Sequence, residues 1–146
     1  MENIQNRLIE QLRNMDRVYE EYAKSKGLNY ISLMVLAELY ELGDGCTQKQ
    51  ISEDTHYPKQ SINLVIRAFL NEEVLVLREL PENRKNKGIT LTPKGRQLCK
   101  DVVEPLLQQE EQVMAQMGEA NSRELSRLLE LYGQIYCDCL KQVCHP

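Results

Sequence analysis

The hydrophobic period changes once along this chain, and that change limits the folds open to it. From Ile4 to Leu70 apolar residues recur every three or four positions, the spacing of helices with one buried face. From Val74 onward "VLVLREL" is dense in Val and Leu and reads as a strand, and "GITLT" reads as its partner across a basic, flexible tip. Thr92 and Pro93 then supply the cap and first residue of a long helix, and the helical period returns. Such a chain is mainly α, because one hairpin cannot bury a core of its own.

The helical segments have boundaries in the sequence. Ile4, Leu8, Leu12, Met15, Tyr19 and Tyr22 form one amphipathic stripe, stopped by Gly27. Asn29 can cap a second helix whose face is Leu33, Leu36, Ala37 and Tyr40, ended by Gly43 and Gly45. Thr47-x-x-Gln50 has capping-box spacing for a short helix buried through Ile51. Pro58, expected at a first helical position, opens a fourth helix over 58–71 with Ile62, Val65, Ile66, Phe69 and Leu70 inward. Beyond the hairpin a long helix runs through Leu98, Val102, Leu106, Val113 and Met117, with Pro105 expected to bend it. A turn over 118–122 precedes a last helix carrying Leu125, Leu128, Tyr132, Ile135, Cys139 and Val143. Its period, close to 3.5, suits packing against other helices.

Two short helices followed by a strand hairpin are the order of a winged helix-turn-helix. There the second helix of the pair enters the major groove of DNA, and the hairpin tip reaches along the backbone. Residues 29–96 hold this unit, inside a single domain over 1–146. The outward side of the fourth helix offers Lys59, Gln60, Ser61, Asn63 and Arg67, groups able to donate to phosphates or base edges. The hairpin, with its wing at 79–90, adds Arg84, Lys85 and Lys87.

Charge placement agrees. The net charge of -4 on 146 residues argues against a wholesale coat on nucleic acid. Yet residues 57–96 carry 8 Lys and Arg against 4 Asp and Glu, a local +4, while 1–56 (6 against 10) and 97–146 (4 against 8) are each -4.

Taken together, the chain resembles the multiple antibiotic resistance regulator (MarR) family of bacterial transcription factors over nearly its whole length. "GLNYISLMVLAEL" is similar to that family's second-helix signature, "FLNEEVLVL" to the end of its recognition helix and first wing strand, and "ITLTPKG" to the second wing strand and following helix start. The resemblance implies a homodimer in which residues 1–26 and 97–146 interlock as dimerisation helices, holding two winged units over a near-palindromic operator. It also implies a repressor whose affinity for double-stranded DNA a small-molecule effector, a metal or an oxidant changes; the lack of a secretion signal or membrane span in the sequence makes a cytoplasmic location the expectation. Two departures stand out. Glu82 occupies a wing position where the family pattern has an arginine, and an anion there repels phosphate. Val74 stands where relatives tend to have glycine, so the recognition helix is expected to end at Asn71, the nearest residue tolerant of left-handed geometry.

Other residues admit two readings. Tyr19, Tyr22, Tyr30 and Tyr40 share apolar stripes, and filling the core of a Trp-free chain accounts for them. The resemblance also makes them the candidate lining of an effector pocket. Five cysteines, an odd number with no export signal in view, read as reduced thiols. Cys46 sits near the positive end of the short helix, which would lower its pKa if exposed, so Cys46 and Cys144 are candidates for oxidant sensing. The "CDCLKQVCHP" tail suggests a metal, but on a helix Cys137 and Cys139 lie about 200° apart. No metal and no cofactor is expected.

His56 and His145 are the only histidines, no nucleophile elbow or glycine-rich phosphate loop is present, and Glu20-Glu21 and Glu110-Glu111 read as solvated acids, so an enzyme is not expected. No apolar run approaches the roughly 18 residues of a membrane span, so no membrane partner is expected. A winged helix can also bind protein, so an antirepressor that has lost DNA binding is the competing class.

Overall fold

In the computed structural model, whose described residues are 3–144, side-chain caps decide where the first three helices begin. Helix α1 (Ile4–Ser25) starts where the Asn3 side chain accepts from the Gln5 N–H at 3.0 Å. Helix α2 (Tyr30–Leu42) starts where Asn29 accepts from the Ser32 N–H at 2.8 Å. Helix α3 (Gln48–Thr55) carries the full capping box between Thr47 and Gln50. Helix α4 (Lys59–Asn71) has no side-chain cap. Pro58 is its N-cap rather than its first helical residue, because its ψ of 140° is still extended.

The wing differs from expectation at its tip. Strand β1 (Leu75–Leu80) pairs antiparallel with β2 (Asn83–Leu91), from Leu75 opposite Leu91 to Leu80 opposite Asn83, with an irregularity between Arg78 and Leu80. Only Pro81 and Glu82 form the turn. Arg84, Lys85 and Lys87 lie on β2 but in its irregular stretch: the register passes from Arg78 opposite Gly88 to Leu80 opposite Asn83, so residues 84–87 bulge without a partner in the ladder. The hairpin is tied inward as well. Gly45 N–H donates to the Ile89 carbonyl at 2.8 Å, and Ile89 N–H to the Cys46 carbonyl at 2.7 Å. Gly88 permits this, since a Cβ there would strike Leu80 and the Gly45 backbone.

Helix α4 does end at Asn71, but the left-handed residue is Glu73, at φ 59°, not Asn71. Thr92 clasps that bend: its hydroxyl donates to the Glu73 carbonyl at 2.6 Å, with the Val74 carbonyl 3.0 Å away. Lys94 Nζ donates to the Glu72 carbonyl at 2.6 Å. Helix α5 (Pro93–Met117) follows, with Pro105 inside it. Gly95 lies so close to this bend that a Cβ would overlap the Val74 carbonyl oxygen. The expected turn over 118–122 shrinks to Gly118 at φ 78°, and α6 (Glu119–Cys144) begins at once. Ser122 N–H already donates to the Gly118 carbonyl at 3.0 Å.

The chain forms two compact units, one through Pro105 and one from Leu106. The buried apolar side chains, from Ala23 to Val103, all belong to the first, with Leu33, Leu36, Ile51, Ile62, Ile66, Phe69, Val74 and Ile89 among them. Helix α6 has no buried residue. Its stripe, including Leu125, Leu128, Tyr132, Ile135 and Val143, faces outward. No helix among the described residues is long and apolar enough to cross a membrane.

Candidate nucleic-acid interface

Burial of one side of α4 dictates what its other side presents. Ile62, Val65, Ile66 and Phe69 are in the core, which turns Gln60, Asn63, Leu64 and Arg67 outward along positions i, i+3, i+4 and i+7. Lys59, Gln60 and Arg67 are exposed, while Ser61 and Asn63 are half-buried. Asn63 Nδ2 donates to Gln48 Oε1 at 3.3 Å, so α3 holds the amide at the rim.

A turn of three residues, 56–58, sets α4 against α3. His56 takes the left-handed conformation at φ 58°, and Ser52 Oγ donates to the Tyr57 carbonyl at 2.9 Å. Together these turn the chain, and the start of α4 lies beside the start of α3 and the hairpin. A cleft of about 390 Å³ opens there, lined by Gln48, Lys49, Lys59, Lys85, Asn86 and Lys87. The structure thus unites Lys59 with Lys85 and Lys87. Arg84 lies exposed on β2 but does not line this cleft.

Several cations elsewhere on the surface are already paired. Arg17, Arg96, Arg123 and Arg127 each hold a carboxylate at 2.6 to 2.9 Å. Among the described residues, Lys59, Arg67, Arg84, Lys85 and Lys87 have no ion-pair partner, and Lys49 has only Glu53 at 3.7 Å on an exposed face. Unpaired cations converging on one cleft form a local positive field that an anionic polymer can neutralise. Glu82 is exposed at the turn. Sequence reasoning missed Lys49, Gln48 and Leu64. The capping box placed the first two at the start of α3, but nothing local shows that this end abuts the wing. Leu64 was legible, as an apolar residue on an otherwise polar face.

The four tyrosines do not gather as one group. Tyr19 and Tyr30 meet edge to face at 6.4 Å. Tyr22 donates to the Val102 carbonyl at 2.7 Å, and burial pushes its phenol up. Tyr40 donates to Glu104 at 3.1 Å, and that bond raises its pKa. Tyr40 alone of the four lines a second cleft, of about 270 Å³, with Asp44, Arg96, Cys99, Lys100 and Glu104.

The thiols divide by burial. Cys46 is 5% exposed, and burial pushes its thiol up to about 11, so the condition of exposure on which a lowered pKa near the helix start depended is not met. Cys99 is likewise buried and pushed up to about 11. Cys137, Cys139 and Cys144 are exposed on α6. No group of three or more His, Cys, Asp or Glu among the described residues is placed to hold a metal, and His145 lies outside those residues.

Two short helices at a tight turn, the second with a polar outward face, and a basic hairpin beside them define a winged helix-turn-helix protein. No protein-family model and no curated protein matches the chain. Solved structures do. It is similar to NMB1585, a MarR family regulator from Neisseria meningitidis, with 21% identity over 97% of this chain and 99% of that one and a TM-score of 0.80. A DNA complex of MepR from S. aureus aligns at 14% identity over 92% and 99% with a TM-score of 0.72. BpsR of Bordetella bronchiseptica, whose DNA binding 6-hydroxynicotinic acid regulates, aligns at 20% identity over 90% and 94% with a TM-score of 0.70. The chain has the fold of the MarR family regulators.

Proposed function

We propose that this chain is a MarR family transcription regulator that binds duplex DNA as a homodimer and acts as a repressor. The observation that carries the reading is the cleft between α3, α4 and the wing, where Lys49, Lys59, Lys85 and Lys87 meet in a protein of net charge -4. Phosphates neutralise such a cluster, and Gln60, Asn63 and Arg67 beside it can address base edges. Glu82 at the turn weakens the wing's hold without cancelling three strand cations.

The homodimer is supported by apolar surface that the single chain leaves open. Ile4, Met15 and Val18 on α1, and the α6 stripe, are exposed at 40% or more. A stripe of that length in water is satisfied by a second copy. A small-molecule effector that changes DNA affinity is part of the proposal, by analogy with BpsR; of the four tyrosines expected to contact it, Tyr19, Tyr22, Tyr30 and Tyr40, the one that lines a cleft, Tyr40, is the first candidate.

The test is fluorescence anisotropy of the protein with the duplex upstream of its own gene, against an unrelated duplex, across a salt series. Selective binding that weakens steeply with salt is expected. Lys59→Ala should weaken binding to both duplexes about fivefold and reduce the salt slope by about 1. Equal, feeble binding to both duplexes would overturn the reading and turn attention to protein partners.

A further inference from the structure

We propose that Leu64 reads the 5-methyl group of a thymine in the major groove, giving the operator an A·T pair at a fixed place in each half-site. The proposal rests on the DNA-binding reading above and deepens it. Leu64 is 67% exposed, although it sits mid-helix on α4, whose other large apolar residues are mostly buried. The core therefore has no use for it.

Its surroundings point to the occupant. Gln48, Lys59, Gln60, Asn63 and Leu64 line a shallow hollow of about 500 Å³, and Arg67 stands one turn further along the same face. Apart from Leu64, every side chain lining that hollow is a hydrogen-bond donor or a cation. A protein partner's apolar patch would have to desolvate all of them to cover one leucine. A DNA major groove offers the matching pattern: phosphates for Lys59 and Arg67, purine edges for Gln60 and Asn63, and one kind of apolar group, the thymine methyl. Asn63 is already steadied by its bond to Gln48, which fixes the neighbouring polar contact against which Leu64 is placed.

The experiment selects duplexes from a random 30-base-pair pool with the full chain. Each thymine of the enriched site is then replaced singly by deoxyuridine, which removes only the methyl. One thymine per half-site should respond, with binding about fourfold weaker, the worth of one buried methyl. Leu64→Ala, with an unchanged melting temperature, should bind the thymine and deoxyuridine forms equally. An enriched site in which no methyl matters, or a Leu64→Ala protein that keeps the thymine preference, overturns the assignment to Leu64 while leaving DNA binding in place. A pool that yields no enriched duplex overturns DNA reading itself, and this inference with it.

Discussion

The unit through Pro105 and the unit from Leu106 are both helical, yet they treat their apolar residues in opposite ways. The first encloses Leu33, Leu36, Ile62, Ile66, Phe69 and Ile89 and leaves its cations outward. The second buries nothing along α6 and exposes Leu125, Leu128, Tyr132 and Ile135. The first holds a core of its own, although Ile4, Met15 and Val18 on α1 stay open, and the second has an apolar face in want of a partner. In the proposed regulator this is a division of labour: the core of the first unit supports the DNA-reading surface, and α6 together with α1 joins two copies.

The largest effect should come from spoiling the open face. Leu128→Glu with Tyr132→Glu would place charge in the proposed dimer interface and weaken self-association by roughly 3 kcal/mol, about a hundredfold in Kd. Sedimentation would show monomers with the helix content intact; a variant that stays dimeric removes α6 from the interface. Next comes the enclosed unit. Gly95→Ala drives a methyl into the Val74 carbonyl and should cost about 2 kcal/mol in a denaturant melt. A melt unchanged from wild type would show that the clasp at Thr92 is not rigid.

Smaller effects sharpen the account of the wing. Glu82→Arg replaces the anion at the hairpin turn and should tighten binding to any duplex about threefold while steepening its salt dependence. Unaltered affinity would mean the turn does not approach the backbone. Glu73→Gly removes a left-handed penalty of about 1 kcal/mol, offset by about 0.5 kcal/mol of glycine entropy. A net gain near 0.5 kcal/mol is expected, and a loss would show that the Glu73 side chain contributes something its backbone conformation hides.

Much of the enclosed unit was legible in the sequence because its signals are local. Asn29 and the Thr47-Gln50 box each act on an N–H three residues away, so reading the sequence placed those two helix starts correctly. The periodicity of α4 likewise defined its outward face. What failed was non-local. The anchorage of the wing comes from pairing of Leu75–Arg78 with Gly88–Leu91 and from Ile89 bonding to Gly45 and Cys46, some forty residues earlier in the chain. Glu73, rather than Asn71, turns left-handed because Thr92 and Lys94 hold the carbonyls of residues 72–74. The Cys46 thiol is raised chiefly by burial, which local sequence does not show. Lys49 joined the candidate site only when α3 and the wing could be seen to face one cleft.

The most direct test of the central claim is amide hydrogen exchange of the protein with and without its selected duplex. The account predicts new protection in residues 48–71 and 83–88, covering the outward face of α4, the start of α3 and the basic strand, with α6 unchanged by DNA. Protection confined to α6, or none in α4 and β2 under conditions where the duplex is bound, would contradict it.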